Sequence, residues 1–150
     1  MNYSEAARCA DWEQQLPAVL ADWHGSEYSM HERSCLHFAR AVIVGLVGGE
    51  PLDALGVTLR EVSTPLGAAR LLHRYGTADA IITAVLGAPI AVLHARRGDL
   101  AAVALEDTEP GHGDWSIGVV DGALIHLTAH DRGLTVRPLT DARHAWRVGA

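Results

Sequence analysis

From Cys35 onward, the apolar positions Leu36, Phe38, Ala39, Val42, Ile43, Leu46 and Val47 recur at helical spacing and cover more than half of a helix circumference. This pattern predicts a central, largely buried helix, stopped by Gly48-Gly49. Upstream, Ser4 can cap a helix from about Glu5 to Gln15, and Pro17 can open a short second helical turn that runs to Trp23. Residues 24–33 are polar and turn-like. Downstream, Thr64-Pro65 is a capping residue followed by proline at the first helical position, and the helix it opens closes at Gly76. Thr77 caps another helix that runs through Leu86 and ends at Gly87.

After Pro89 the pattern changes to short apolar or alternating runs. "LAAVAL" (100–105), "WSIGVV" (115–120), "ALIHLT" (123–128) and "LTVRPL" (134–139) read as strands, and "AWRV" near the end as a last one. Asp121-Gly122 is a two-residue hairpin signal, and His130-Asp131-Arg132-Gly133 makes the next turn. Helices first and an antiparallel sheet second is an α+β plan. With no repeat or linker, the chain reads as one domain: an N-terminal helical segment (1–23), a helical part (24–89) and a β part (90–150).

Composition narrows the function classes. The 150 residues are 49% hydrophobic but only 5% aromatic, which favours closely packed helices over a core of large rings. The formal charge is −6, every basic residue is arginine, and no basic run exceeds Arg96-Arg97, so a phosphate-tracking nucleic-acid surface is not expected. The longest apolar run, 41–49, is far short of the ~20 residues that cross a bilayer. Cys9 and Cys35 form no disulfide framework and are expected to be free thiols. Nine histidines raise the question of a metal. Neither His31/Cys35, Cys35/His37 nor His126/His130 completes a zinc pattern, so no metal or other cofactor is expected. Gly98-Asp99 reads as a turn whose carboxylate bonds nearby backbone N–H groups. Trp115 and Trp146 flank the sheet as core or interface residues.

The order of "SCLHFARAVIVGLVGGEPL", "LGAARLLHRYG", "ARRGDLAAV", "GVVDGA" and the terminal "AWRVG" resembles the NlpC-type branch of papain-like cysteine peptidases. More narrowly, it is similar to a family of small phage- and prophage-encoded proteins of unknown function related to that branch. The resemblance implies a papain-like α+β fold in which the Cys35 helix packs on the C-terminal antiparallel sheet. Members of that family tend to be encoded among phage tail genes. This implies other tail-tip or baseplate proteins as partners, without nucleic acid or membrane insertion. It also implies residence in the host cytoplasm during assembly and then in the virion tail.

In the peptidases, the helix-initiating cysteine is the nucleophile, a histidine at the start of a strand is the base, and a polar residue on the next strand orients it. By this resemblance Cys35 matches the nucleophile, and the base position falls on Ser116, in "SIGV". The orienting position falls on His126, in "ALIHLT". A serine hydroxyl cannot act as a base near neutrality, and the usual aspartate before the cysteine is Ser34 here. His112, in "PGHGDW", is the alternative base candidate.

Two readings of Cys35 follow: a nucleophile activated at a helix N-terminus, or a small buried side chain at the start of a core helix. They correspond to two functions. One is a structural or assembly component of a phage tail tip on a non-catalytic papain-like domain. The other is a cysteine peptidase or amidase acting on peptidoglycan peptides during DNA entry.

Overall fold

The structure is a computed structural model, described here at residues 2–26, 33–104, 115–129 and 132–150, apart from the side chains of Trp115, Ala129 and Arg132. Five helices precede a five-stranded sheet: α1 (Trp12–His24), α2 (Cys35–Val47), α3 (Leu59–Val62), α4 (Pro65–Tyr75) and α5 (Ala78–Leu86), then β1 (Leu100–Ala104), β2 (Trp115–Asp121), β3 (Leu124–Ala129), β4 (Arg132–Pro138) and β5 (Ala142–Trp146). The α+β class and the antiparallel sheet are therefore as expected.

Local chemistry sets the helix boundaries. Ser34, Thr64 and Thr77 each place a side-chain oxygen on a backbone N–H of the first turn of α2, α4 and α5. Gly48 and Gly49 end α2 at φ 81° and 78°, a region that side chains with a Cβ rarely enter. The N-terminus differs from expectation. A single helix begins at Trp12, and Pro17 lies inside it, where it does not open a second turn. The helix tolerates the proline because Leu16 and Trp23, two turns apart, bury the same face against α2 and the sheet. A short α3, opened by a reciprocal cap between Thr58 and Glu61, is a further element the periodicity did not reveal.

The strand order is β4-β3-β2-β1-β5, with every pairing antiparallel. The last strand thus returns to the edge beside β1, with Leu100 opposite Trp146. Both faces of the sheet are buried. On one, Leu100, Ala102, Ile117, Val119, Leu134 and Trp146 meet Phe38, Val42, Leu46 and Ile82 of the helices. On the other, Ala101, Val103, Val120, Ile125 and Leu127 form a second, smaller core. A third cluster, Leu52, Leu55, Val62, Leu71 and Ile81, holds α3, α4 and α5 together as a helical lobe.

Close approach fixes how α1 meets the sheet. A Cβ on Gly133 would lie 2.2 Å from the Trp23 carbonyl oxygen and 2.6 Å from that of His24, so β4 can run under the end of α1 only with glycine there.

Candidate functional site

Cys35 is the first residue of α2, as the resemblance requires. The residue is partly exposed, yet its sulfur lies in a desolvated setting, packed against the core beneath the helices. Burial pushes the thiol above its ordinary pKa, and the negative charge of Asp79 pushes in the same direction. The backbone N–H groups of Ile117, Leu36 and Cys35 itself act against this by hydrogen bonding to the sulfur, but burial prevails. A helix N-terminus has not made this thiol a ready thiolate.

Ser116 is not placed to stand in for a base. It alternates with Ile117 along β2, pairs with Val103 and so shares the face of Gly118 and Val120, the second core. Ile117 is the residue on the helix side. The Ser116 hydroxyl is buried and, among the described residues, lacks a hydrogen-bond partner. His126 pairs with Val119 and therefore lies on the helix side, but its Nε2 is 3.6 Å from Asp121 Oδ2 at the β2–β3 hairpin. His112, the alternative base, lies outside the described residues, as do His31 and His130. Among the described residues no cluster of His, Cys, Asp and Glu could hold a metal ion.

Two groups near Cys35 were not singled out from the sequence. The first is a chain of side-chain hydrogen bonds from the α2 cap to α3. Ser34 Oγ is 2.7 Å from His37 Nδ1, and His37 Nε2 is 3.2 Å from Ser63 Oγ. Ser63 donates its own proton to the Leu59 carbonyl at 2.6 Å. Its oxygen must then accept from Nε2–H, which leaves Nδ1 to accept the Ser34 hydroxyl proton. Both ring nitrogens of His37 are thus within hydrogen-bond distance of serines. The sequence signal was the spacing Ser-x-x-His at a helix start, a variant of the capping box.

The second is a close side-chain pair between Asp79, in the first turn of α5, and His144 on β5, with Asp79 Oδ2 2.6 Å from His144 Nδ1. His144 pairs with Ala102, which pairs in turn with Ile117, so one row of the sheet runs from the strand beneath Cys35 to His144. His144 shares its face with Trp146, whose Nε1–H donates to Thr83 of α5 at 3.1 Å. Asp79 Oδ1 is buried without a hydrogen-bond partner among the described residues. No motif could have announced this group, because its members come from three distant parts of the chain.

Gly98-Asp99 is a turn, as expected, and more besides. Asp99 Oδ2 accepts from the Arg96 N–H at 2.8 Å, while Oδ1 accepts from the Val148 N–H at 3.0 Å and from Arg8 Nη2 at 3.1 Å. Asp99 is fully buried and Arg8 nearly so. Arg8 also donates to the carbonyls of Arg97 and Val148 and lies over the Trp12 ring. Its guanidinium pKa is lowered by burial, with the Asp99 charge opposing the shift. The site joins the N-terminal segment, the entry to β1 and the C-terminus, which is a structural arrangement. A cavity of about 360 Å³ lined by Tyr3, Gly49, Glu50, Asp53 and Ala54 shares no residue with the Cys35 group.

No curated protein matches the chain. A family model does, over residues 7–148, and the chain accordingly belongs to the family described as a domain of unknown function, DUF6950.

Proposed function

We propose that this protein is a structural or assembly component of a phage tail tip or baseplate, built on a papain-like domain that has lost peptidase chemistry. The observation that carries the non-catalytic part is Cys35 itself. It begins a buried helix, its thiol is pushed above the ordinary range by burial, and among the described residues no imidazole is hydrogen-bonded to it. Among the described residues, general-base assistance, worth ~10²–10⁴-fold in rate, has no imidazole at the sulfur to provide it. The tail assignment rests on the order of motifs and on the formal net charge of −6, and it makes other tail-tip proteins the partners. Mass spectrometry of tails purified from particles encoding this chain tests it. The chain should be present in the tail fraction, and its absence there would end the assignment.

One observation favours a second reading, a cysteine peptidase or amidase acting on peptidoglycan peptides. The Asp79–His144 pair lies on the helix side of the sheet, in the row that passes beneath Cys35. If His144 assists the thiol, His144→Ala should slow alkylation of Cys35 by iodoacetamide and abolish cleavage of muropeptides. On the non-catalytic reading, wild-type protein cleaves none and the substitution leaves alkylation unchanged.

A further inference from the structure

The two edge strands of the sheet, β4 and β5, are finished differently. On β5 the outer edge is covered: Ile90 bridges Ala145 and donates its N–H to the Ala145 carbonyl at 2.8 Å. On β4, register fixes which peptide groups face outward. The Leu139 N–H donates to the Ala123 carbonyl at 2.8 Å, so Arg137 opposite Ile125 and Thr135 opposite Leu127 are the pairs that exchange hydrogen bonds with β3. Leu134, Val136 and Pro138 alternate with these, and their peptide groups point away from the sheet. Pro138 has no N–H to leave unpaired. Leu134 and Val136 each turn an N–H and a C=O outward, and among the described residues no backbone group bonds to them. Beside this edge, on the helix side, Val136 is 43% exposed and Leu124 45%.

A row of outward N–H and C=O groups is a template for another extended strand. β4 itself meets the requirement. Set antiparallel about a two-fold axis through Thr135, Leu134 of one copy falls opposite Val136 of the other, and each such pair can exchange both of its N–H···O bonds. Thr135 meets its own counterpart across the axis as a close pair, with Cα atoms ~4.5 Å apart. The exposed Val136 comes beside Leu134 of the second copy, which is 4% exposed at the margin of the helix-side core. Arg137 falls opposite Gly133 and Arg132 opposite Pro138, so arginine never faces arginine across the pairing.

We propose that this protein forms a two-fold dimer in which the β4 edges of two copies pair antiparallel about Thr135 and join the two sheets into one. The pairing is independent of the tail assignment and is tested on the purified chain alone.

The test is sedimentation of the full chain across a concentration range, with exchange of single backbone amides followed by NMR in the same samples. Where the dimer forms, the Leu134 and Val136 amides should exchange at least about tenfold more slowly than in the dilute monomer. The amides of Thr135 and Arg137, bonded to β3 in either state, should change less. Val136→Pro removes an outward donor and no bond to β3, so it should keep the fold and raise the dimer Kd at least about tenfold. Thr135→Lys puts like charges opposite each other on the axis and should weaken the dimer in a way that added salt partly restores. Leu93→Asp, at the 88% exposed leucine that follows Ile90 in sequence, should leave the dimer unchanged. A chain that stays monomeric at every concentration, or a dimer indifferent to both β4 variants, would overturn the proposal. Slow exchange of the Leu134 and Val136 amides in the dilute monomer would also overturn it, because the edge would then already be covered within one chain.

Discussion

Two buried polar sites in this molecule are built on opposite terms. At Asp99 both carboxylate oxygens are engaged, by two backbone N–H groups and the Arg8 guanidinium, with Arg8 itself satisfied by two carbonyls. Around Cys35, the thiol is desolvated, and among the described residues Asp79 Oδ1 and, on the other face of the sheet, the Ser116 hydroxyl at the supposed base position lack hydrogen-bond partners. A fully connected network fixes a fold, because removing any member strands the others. A partly connected one contributes little stability, because its members do not depend on one another. The first site is thus expected to be sensitive to substitution, and the second tolerant.

Asp99→Asn should give the largest effect. It leaves a nearly buried Arg8 without its counter-charge, a loss of about 3–5 kcal/mol. Urea denaturation would show it as a lower midpoint, and proteolysis as early cleavage near the termini, which Asp99 helps to hold through Arg8 and Val148. A change below about 1 kcal/mol would mean that the site is not the anchor its geometry indicates.

Substitutions at Ser116 sharpen the contrast at intermediate scale. Were Ser116 the vacant base position, Ser116→His would accelerate Cys35 alkylation. On the structure the new imidazole would enter the second core, on the face away from the helices. The expectation is therefore a loss of about 2–3 kcal/mol from overpacking and polar burial, with no gain in alkylation rate. Ser116→Ala, by removing a buried hydroxyl that has no partner among the described residues, should raise stability by about 1 kcal/mol. Faster alkylation in the histidine variant would restore the motif alignment and overturn the face assignment.

The difference between motif and face also explains what was legible in the sequence. Thr64-Pro65, Thr77, Gly48-Gly49 and Asp121-Gly122 act within a few residues of themselves, so their helix caps, stops and hairpin could be read directly. Pro17 could not, because the burial of Leu16 and Trp23 that overrides it is tertiary. The alignment that put the base on Ser116 matched letters along β2, whereas the side of the sheet is set by register with β1 and by which core each residue enters. His144 was invisible for the same reason: only the return of β5 to β1 brings it beside α5. Cys35 at the head of a buried helix was legible, since the apolar periodicity begins there.

The smallest expected effect concerns the thiol and pH. Cys35 has a folded-state pKa above its ordinary value of 9.0, so unfolding in mildly alkaline solution releases a proton that the folded chain retains. The stability this contributes is fully present below pH 9.0 and is lost as pH rises from there through the folded-state pKa. Tyr3, raised chiefly by burial, acts in the same direction from pH 10.0 upward. Wild type and Cys35→Ala should accordingly keep a constant difference in urea midpoint below about pH 8.5, and the difference should move in favour of the alanine variant between about pH 9 and 10. Iodoacetamide should modify Cys35 more slowly at pH 8 than an exposed thiol, because less thiolate is present and the sulfur is enclosed. A reactive thiolate at neutral pH would show instead as rapid alkylation and as stability that rises with pH through the folded-state pKa toward neutrality. Either result would place Cys35 among the activated nucleophiles, and His112 and His144 would be the imidazoles to replace next.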